Sequence, residues 1–281
     1  MIIMGIDEIQ RSYVFKEVER LLQEQGVNPE IIQTVKRGLI SPENIKKLDG
    51  WSKRYLEGGK LWGDEPSVCG KRLINNLNPS SLVLEFGCGY GRDSKALLDQ
   101  GHKVEAIDSS EIAIREAQAS LGKHIKKGNA HLIHGDIITA QIIQKNFHAV
   151  LSHRTLHLPD PDDVPAIISR LAGALRPNGL LIMTARSPDD FNPTQMNKID
   201  SMTAEYKPEI RENHIVHFYD EDRLKNVLSR QFKDLTFNRG QELESIKNPV
   251  MSKFVQVTGR KKTDEELMAP ENEELMTPSV A

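Results

Sequence analysis

An α/β fold, with strands and helices alternating along the chain, follows from three observations. The apolar run 82–84 ends in Glu85 and then in three glycines spaced by two, Gly87, Gly89 and Gly91. Two further strand-like runs close on acidic residues, 103–107 on Asp108 and 131–134 on Gly135-Asp136. Segments with helical spacing of apolar residues follow, beginning with Ala96, Leu97 and Leu98. Short apolar runs alternating with helical periods are the pattern of strands joined by crossover helices.

The first strand carries the most specific signal. Glycines just past its end let a ligand approach backbone N–H groups that a side chain would block. A carboxylate at Glu85 attracts a cation or a ribose and repels pyrophosphate. The dinucleotide fingerprint G-x-G-x-x-G/A needs a small third residue for close helix–strand packing. Counting from Gly87, that position is Arg92, bulky and charged. Asp108, at the end of the second strand, lies 21 positions after Gly87. An acidic residue about 20 positions on is where this architecture binds a ribose, and one carboxylate can accept from both vicinal hydroxyls. The third strand ends in Gly135-Asp136 before Ile137. A fourth spans 147–152 and ends at Ser152. A helix is expected over 166–175, a turn at Arg176-Pro177-Asn178-Gly179, and a fifth strand over 180–185. Ligands of open α/β sheets bind at the carboxyl ends of strands, so the three acidic positions converge on one crevice. Each also has a structural reading. The glycines suit a turn, Asp108 suits the helix start at Ser109-Ser110-Glu111, and Asp136 suits a surface turn.

Glu85-Phe86-Gly87-Cys88-Gly89-Tyr90-Gly91, with the later Leu175-Arg176-Pro177-Asn178-Gly179, resembles class I S-adenosylmethionine-dependent methyltransferases. The resemblance covers roughly residues 51–260. It implies a Rossmann-like, mostly parallel seven-stranded sheet with an antiparallel last strand. The last two strands would include 235–238 and 253–257. It implies S-adenosyl-L-methionine as cofactor and S-adenosyl-L-homocysteine as product. Glu85, Gly87, Cys88, Gly89 and Gly91 would flank the methionyl part, with Glu85 near its amino group. Asp108 and Ser109 would hold the ribose, Asp136 and Ile137 the adenine, and Ser152 would lie beside the cofactor. Cys88 itself reads as packing, without a nucleophilic role.

Trp51, Tyr55 and Trp62 stand within twelve positions, interleaved with Gly58, Gly59 and Gly63. This segment, Arg186-Ser187 and the string from His214 to Leu224 resemble the tellurite-resistance and thiopurine branch. The resemblance implies an aromatic lid over 51–68, with Trp62 and then Tyr55 touching the sulfonium by cation–π attraction. Trp51 is a candidate substrate contact. Plain aromatic packing is the structural alternative. After the fourth strand, His153 and His157 are candidate bases, and Arg154 a candidate fork for a substrate carboxylate. Arg186 and His217 are candidate substrate-anion ligands, with a buried ion pair or a core histidine as alternatives. The polar stretch 187–215 is expected to cover the substrate.

The remaining composition narrows the class. A net charge of −3 leaves no nucleic-acid footprint, and no apolar run is long enough to span a bilayer. The start of the chain lacks a secretory pattern, and two cysteines make no disulfide framework, so a cytoplasmic protein is expected. His148, His153 and His157 do not form a zinc-binding HExxH pattern, and no metal is expected. Residues 1–50 read as a helical N-terminal extension that caps the site, offers a homodimer face or covers the sheet. Residues 51–261 read as the catalytic domain and 262–281 as a disordered acidic tail. The expected function is methyl transfer to a small-molecule acceptor, a specialised metabolite with an oxygen or nitrogen nucleophile. Alternatives are an NAD-dependent oxidoreductase, a catalytically silent cofactor-binding module, and a methyltransferase acting on protein.

Overall fold

The computed structural model describes residues 49–208, 210–211, 214–246 and 250–269. The expected helices within 1–48 lie outside these residues. Helix α1 (Gly50–Gly58) runs through the boundary expected at residue 50, because the Asp49 side chain caps it by accepting from the Trp51 and Ser52 N–H groups. Helix α2 (Val68–Ile74) follows, and then the alternating unit begins. It comprises β1 (Leu82–Phe86), α3 (Arg92–Asp99), β2 (Lys103–Asp108), α4 (Glu111–Lys126), β3 (Ala130–His134), β4 (Phe147–Ser152), α5 (Val164–Ala174) and β5 (Leu175–Arg186). Three short strands come next, β6 (Met196–Lys198), β7 (Thr203–Tyr206) and β8 (Ile215–His217). Helix α6 (Glu221–Leu228), β9 (Phe232–Leu243), β10 (Met251–Lys261) and α7 (Asp264–Met268) complete the described chain.

The main sheet has seven strands in the order β3-β2-β1-β4-β5-β10-β9. Strands β1 to β5 pair in parallel. Strand β10 is antiparallel to both β5 and β9. The mostly parallel sheet with an antiparallel last strand is therefore observed. Strand order reverses between β1 and β4, which opens a crevice above their carboxyl ends.

Both faces of the sheet are covered, and β1 shows how the pattern assigns them. Val83 joins Cys69, Leu73, Leu97, Leu98, Ile114 and Leu121 in the core under α2, α3 and α4. Leu84 points the other way, into a core with Ile167, Leu171, Leu224 and Leu228 from α5 and α6. Alternate side chains of a strand leave opposite faces, so a fully buried strand reads as a continuous apolar run. Glu85 shares the side of Val83, at the strand end where the core gives way to the crevice.

Three local expectations are adjusted. Leu175 ends helix α5 in extended backbone and pairs with Phe147, while Leu180 pairs with Ala149. The four residues expected as a turn bulge out between those pairs, with Asn178 at φ 59°. The stretch 187–215 is more ordered than a loop. Strands β6, β7 and β8 form an antiparallel sheet with its own core of Met196, Ala204, Tyr206, Val216 and Phe218. The start of the expected disordered tail is helix α7, closed by a capping box between Thr263 and Glu266. Residues 270–281 lie outside the described residues.

Candidate active site

The crevice above β1 and β4 is a cleft of about 290 Å³. Its floor is the glycine turn after β1. Gly87 and Gly89 both have positive φ, 74° and 55°. A Cβ on Gly87 would stand 2.1 Å from the Thr155 hydroxyl, and one on Gly89 2.6 Å from the Tyr55 hydroxyl. Glycine is thus required there by conformation and by space together. Cys88 lines the cleft between them, and burial pushes its thiol well above the usual range. Gly91 is outside the lining, at the left-handed N-cap of α3.

Three carboxylates reach the cleft from successive strand ends. Glu85 is buried and accepts from the Ser94 hydroxyl. Burial, then repulsion from Asp93, holds its carboxyl well above the ordinary range. Asp108 accepts from the Gly89 N–H at 2.7 Å and the Ser110 N–H at 2.9 Å. Each of its oxygens keeps a lone pair for a ligand hydroxyl. Burial raises its pKa, and those two N–H donors oppose the rise. Asp136 is exposed and accepts from the Ile138 N–H at 2.7 Å. Ser109, Ile137 and Ile138 complete this end of the cleft.

The aromatic segment forms the opposite wall. Trp51 and Tyr55 come from α1 and Trp62 from the turn after it, and all three line the cleft. Trp62 stacks on Tyr90 at 6.3 Å and 15°. Its indole N–H donates to the Glu244 carbonyl at 2.8 Å, and its backbone N–H to the Tyr90 hydroxyl at 3.1 Å. Helix α1 is tied to the start of α4 through Ser52 and Ser110, whose hydroxyls lie 2.8 Å apart. The wall is therefore anchored to the glycine turn, to α4 and to the end of β9.

His153 and Arg154 also line the cleft. His153 sits in a closed chain of hydrogen bonds. Its Nε2 lies 2.8 Å from Glu242 and its Nδ1 3.1 Å from the Thr184 hydroxyl. Thr184 in turn accepts from the Arg154 backbone N–H at 2.9 Å. Burial lowers the pKa of His153. Against burial, the hydrogen bond from His153 and the Arg92 guanidinium bring Glu242 down to about 2. A neutral ring donating to an ionised Glu242, with Thr184 donating to Nδ1, satisfies every partner.

Besides Gly91, four sequence candidates do not line the cleft. Ser152 is fully buried. His157 is buried, and burial followed by Arg186 and Arg154 drives its pKa well down. Arg186 is buried in ion pairs with Asp190 and Glu244. His217 is on β8, with Nδ1 3.2 Å from the Thr203 hydroxyl. The sequence reading missed Glu242, Glu244, Thr155 and Thr184. Two acidic residues at i and i+2 at a strand end were the available sign of a shared face. Among the described residues, no cluster of His, Cys, Asp and Glu is arranged to hold a metal, and no helix is long and apolar enough to cross a membrane.

Residues 83–179 match the family model of a methyltransferase domain. Carboxy-S-adenosyl-L-methionine synthase of Shewanella sp. (strain ANA-3) is 28% identical over 123 residues, covering 42% of this chain and 50% of the relative. The same-named protein of Aeromonas salmonicida is 29% identical over 124 residues, 43% of this chain and 49% of the relative. The chain thus spans about half the length of the curated relatives it matches. Among solved structures, the 1,6-didemethyltoxoflavin-N1-methyltransferase of Burkholderia thailandensis superposes with a TM-score of 0.59 at 20% identity. It covers 80% of this chain and 92% of its own, and that structure holds S-adenosylhomocysteine. TehB from Haemophilus influenzae has a TM-score of 0.50 at 22% identity over 69% of this chain and 61% of its own. The fold is that of the S-adenosylmethionine-dependent methyltransferases.

Proposed function

We propose that the chain uses S-adenosyl-L-methionine to methylate a small-molecule acceptor in the cleft above β1 and β4. The observation that carries this reading is the placement of Glu85, Asp108 and Asp136 around one cleft whose floor only glycine can form. The residues suit the cofactor chemically. Glu85 offers an anion to its ammonium group, Asp108 two acceptors to its ribose, and Asp136 an acceptor to its adenine amine, with Ile137 as the apolar neighbour. Bound there, the cofactor supplies an electrophilic methyl group on a sulfonium. A nicotinamide dinucleotide fits less well, because Glu85 faces the glycine turn where its pyrophosphate would lie.

What the chain contributes is position and dryness. Trp51, Tyr55 and Trp62 wall the cleft and exclude water from the reacting centre. Holding a nucleophile in line at contact distance removes several kcal/mol of the barrier, on the order of 7–11 where alignment is complete. Neither candidate histidine is needed as a base in this account. Both ring nitrogens of His153 are engaged within the protein, and His157 lies behind the lining. We therefore assign His153 to fixing β4 against β9 and Arg154 against β5. A positioned base adds about 10²- to 10⁴-fold. His153→Asn and His157→Asn should each keep transfer within roughly tenfold of the unaltered protein. A loss of 10²-fold or more with the cofactor affinity intact would restore the base.

The direct test of the activity is incubation with methyl-labelled cofactor and an acceptor panel, reading label transfer and S-adenosylhomocysteine release together. A second reading has the curated relatives in its favour, since their names describe synthesis of a carboxylated cofactor. Mass spectrometry of the nucleoside products separates the two. Methyl transfer leaves S-adenosylhomocysteine, and the second reading leaves a heavier sulfonium. Small-molecule specificity, a cytoplasmic location and a homodimer remain parts of the same proposal. A stoichiometric protein partner in a pull-down would favour a protein acceptor instead.

A further inference from the structure

We propose that the acceptor carries a carboxylate, and that Arg154 receives it at the cleft edge of an arginine cluster built around Glu244. The inference rests on the methyltransferase reading and names the substrate class of that site. Glu244 is almost fully buried and is approached by four guanidinium groups. Arg154 and Arg211 pair closely with it, Arg186 lies at 3.1 Å, and Arg54 at 3.9 Å. Asp190 pairs with Arg186 from the other side. Among the described residues, four arginines of this cluster are thus set against two carboxylates. A surplus of buried positive charge is costly unless an anion joins it.

The surroundings carry the mark of that surplus. Burial and then the neighbouring Arg211 lower the Arg54 pKa to about 10. Burial, Arg211 and Arg54 bring His214 down to about 3, so its ring is neutral. Buried polar atoms in and beside the cluster lack a hydrogen-bond partner among the described residues: Arg54 Nη1, His214 Nε2, His157 Nδ1 and the Tyr206 hydroxyl. Tyr206 lies under Arg211, 4.1 Å from its ring centroid, and His214 meets both Tyr206 and Trp51 edge-on.

The cluster adjoins the cleft through three side chains. Arg154 lines it, Trp51 lines it with Arg54 over its ring, and Trp62 lines it while donating to the Glu244 carbonyl. Arg154 uses one nitrogen on Glu244 and another on the Leu243 carbonyl. Five donors in a fixed fork leave N–H groups for a carboxylate. The Trp51 and Trp62 rings, with centroids 6.3 Å apart, line the cleft beside it. An acceptor with a planar body and a carboxylate matches both features.

The test is titration of benzoate, and of its neutral partner benzamide, into protein saturated with S-adenosylhomocysteine at low ionic strength. Benzoate should bind roughly tenfold or more tightly than benzamide, a preference lost in Arg154→Gln and partly kept in Arg154→Lys. Arg211→Gln should weaken benzoate as well, and it stands in if the first variant does not fold. The affinity of Arg154→Gln for S-adenosylhomocysteine should stay within about threefold. Equal binding of acid and amide, binding of neither, or an undiminished preference in the variants overturns the inference. So does a tenfold loss of S-adenosylhomocysteine affinity in Arg154→Gln, which would give that guanidinium to the cofactor's own carboxylate. Failure of S-adenosylhomocysteine to bind the unaltered protein sinks the methyltransferase reading itself. Its binding without a preference for benzoate sinks only this inference.

Discussion

Asp108 and Glu85 do different work with the same functional group. Asp108 is fixed by two backbone donors and stays an acceptor. Removing it deletes charge-assisted hydrogen bonds worth about 1.5–3 kcal/mol. Asp108→Ala should therefore weaken S-adenosylhomocysteine roughly 10- to 100-fold in calorimetry. Glu85 is pushed upward by burial and by Asp93, so it takes a proton at a higher pH than a free carboxyl. Only its ionised form attracts a ligand ammonium. Cofactor affinity should fall as pH is lowered through that raised pKa, and Glu85→Gln should flatten the profile. Glu242 shows the opposite sign, brought from 4.5 down to about 2. Its stabilisation is complete above about pH 4.5 and is lost as pH falls toward about 2. Acid unfolding should therefore be less steep in Glu242→Gln over that window, with unfolding followed by circular dichroism.

At the scale of elements, the turn after β1 and helix α1 form one unit. The Tyr55 hydroxyl occupies the space that a side chain on Gly89 would fill, so the aromatic wall needs the glycine as much as a ligand does. Gly89→Ala would place a Cβ at 2.6 Å from that hydroxyl in left-handed backbone. The conformational part alone costs roughly 1–2 kcal/mol. A drop in Tm of about 3–8 °C should accompany it. Much of this was legible in the chain, because strand ends, glycines and carboxylates are local signals. The three acidic strand ends fell on one cleft for that reason. The Glu244 cluster was not legible. Arg54, Arg154, Arg186 and Arg211 are far apart in sequence and meet only through packing of α1, the β4 loop, β5 and the small sheet. Residues 187–215 were read only as a polar substrate cover, and their strands, three or four residues long, carry too short a pattern to read. Arg186 and His217 were candidate substrate-anion ligands, yet packing put both behind the cleft lining.

In the proposed reading, the sheet sets the cofactor end and the additions set the acceptor end. Strand order, with its reversal between β1 and β4, fixes the crevice wherever the loops go. The additions are α1 with its tryptophans, the β6–β8 sheet and the end of β9, and they meet at Glu244. Trp62, Arg54 and Arg211 reach that one residue from separate segments. Replacing Glu244 by Gln would leave its arginines uncompensated. Breaking a buried pair in this way costs about 3–5 kcal/mol. Thermal unfolding of Glu244→Gln should show that loss, and added benzoate should recover part of it. The central claim, that the cleft above β1 and β4 binds S-adenosylmethionine, is tested most directly by calorimetric titration with S-adenosylhomocysteine beside NAD. The account predicts one site for S-adenosylhomocysteine, weakened roughly 10- to 100-fold in Asp108→Ala, and no binding of NAD. Binding of NAD without S-adenosylhomocysteine would contradict it.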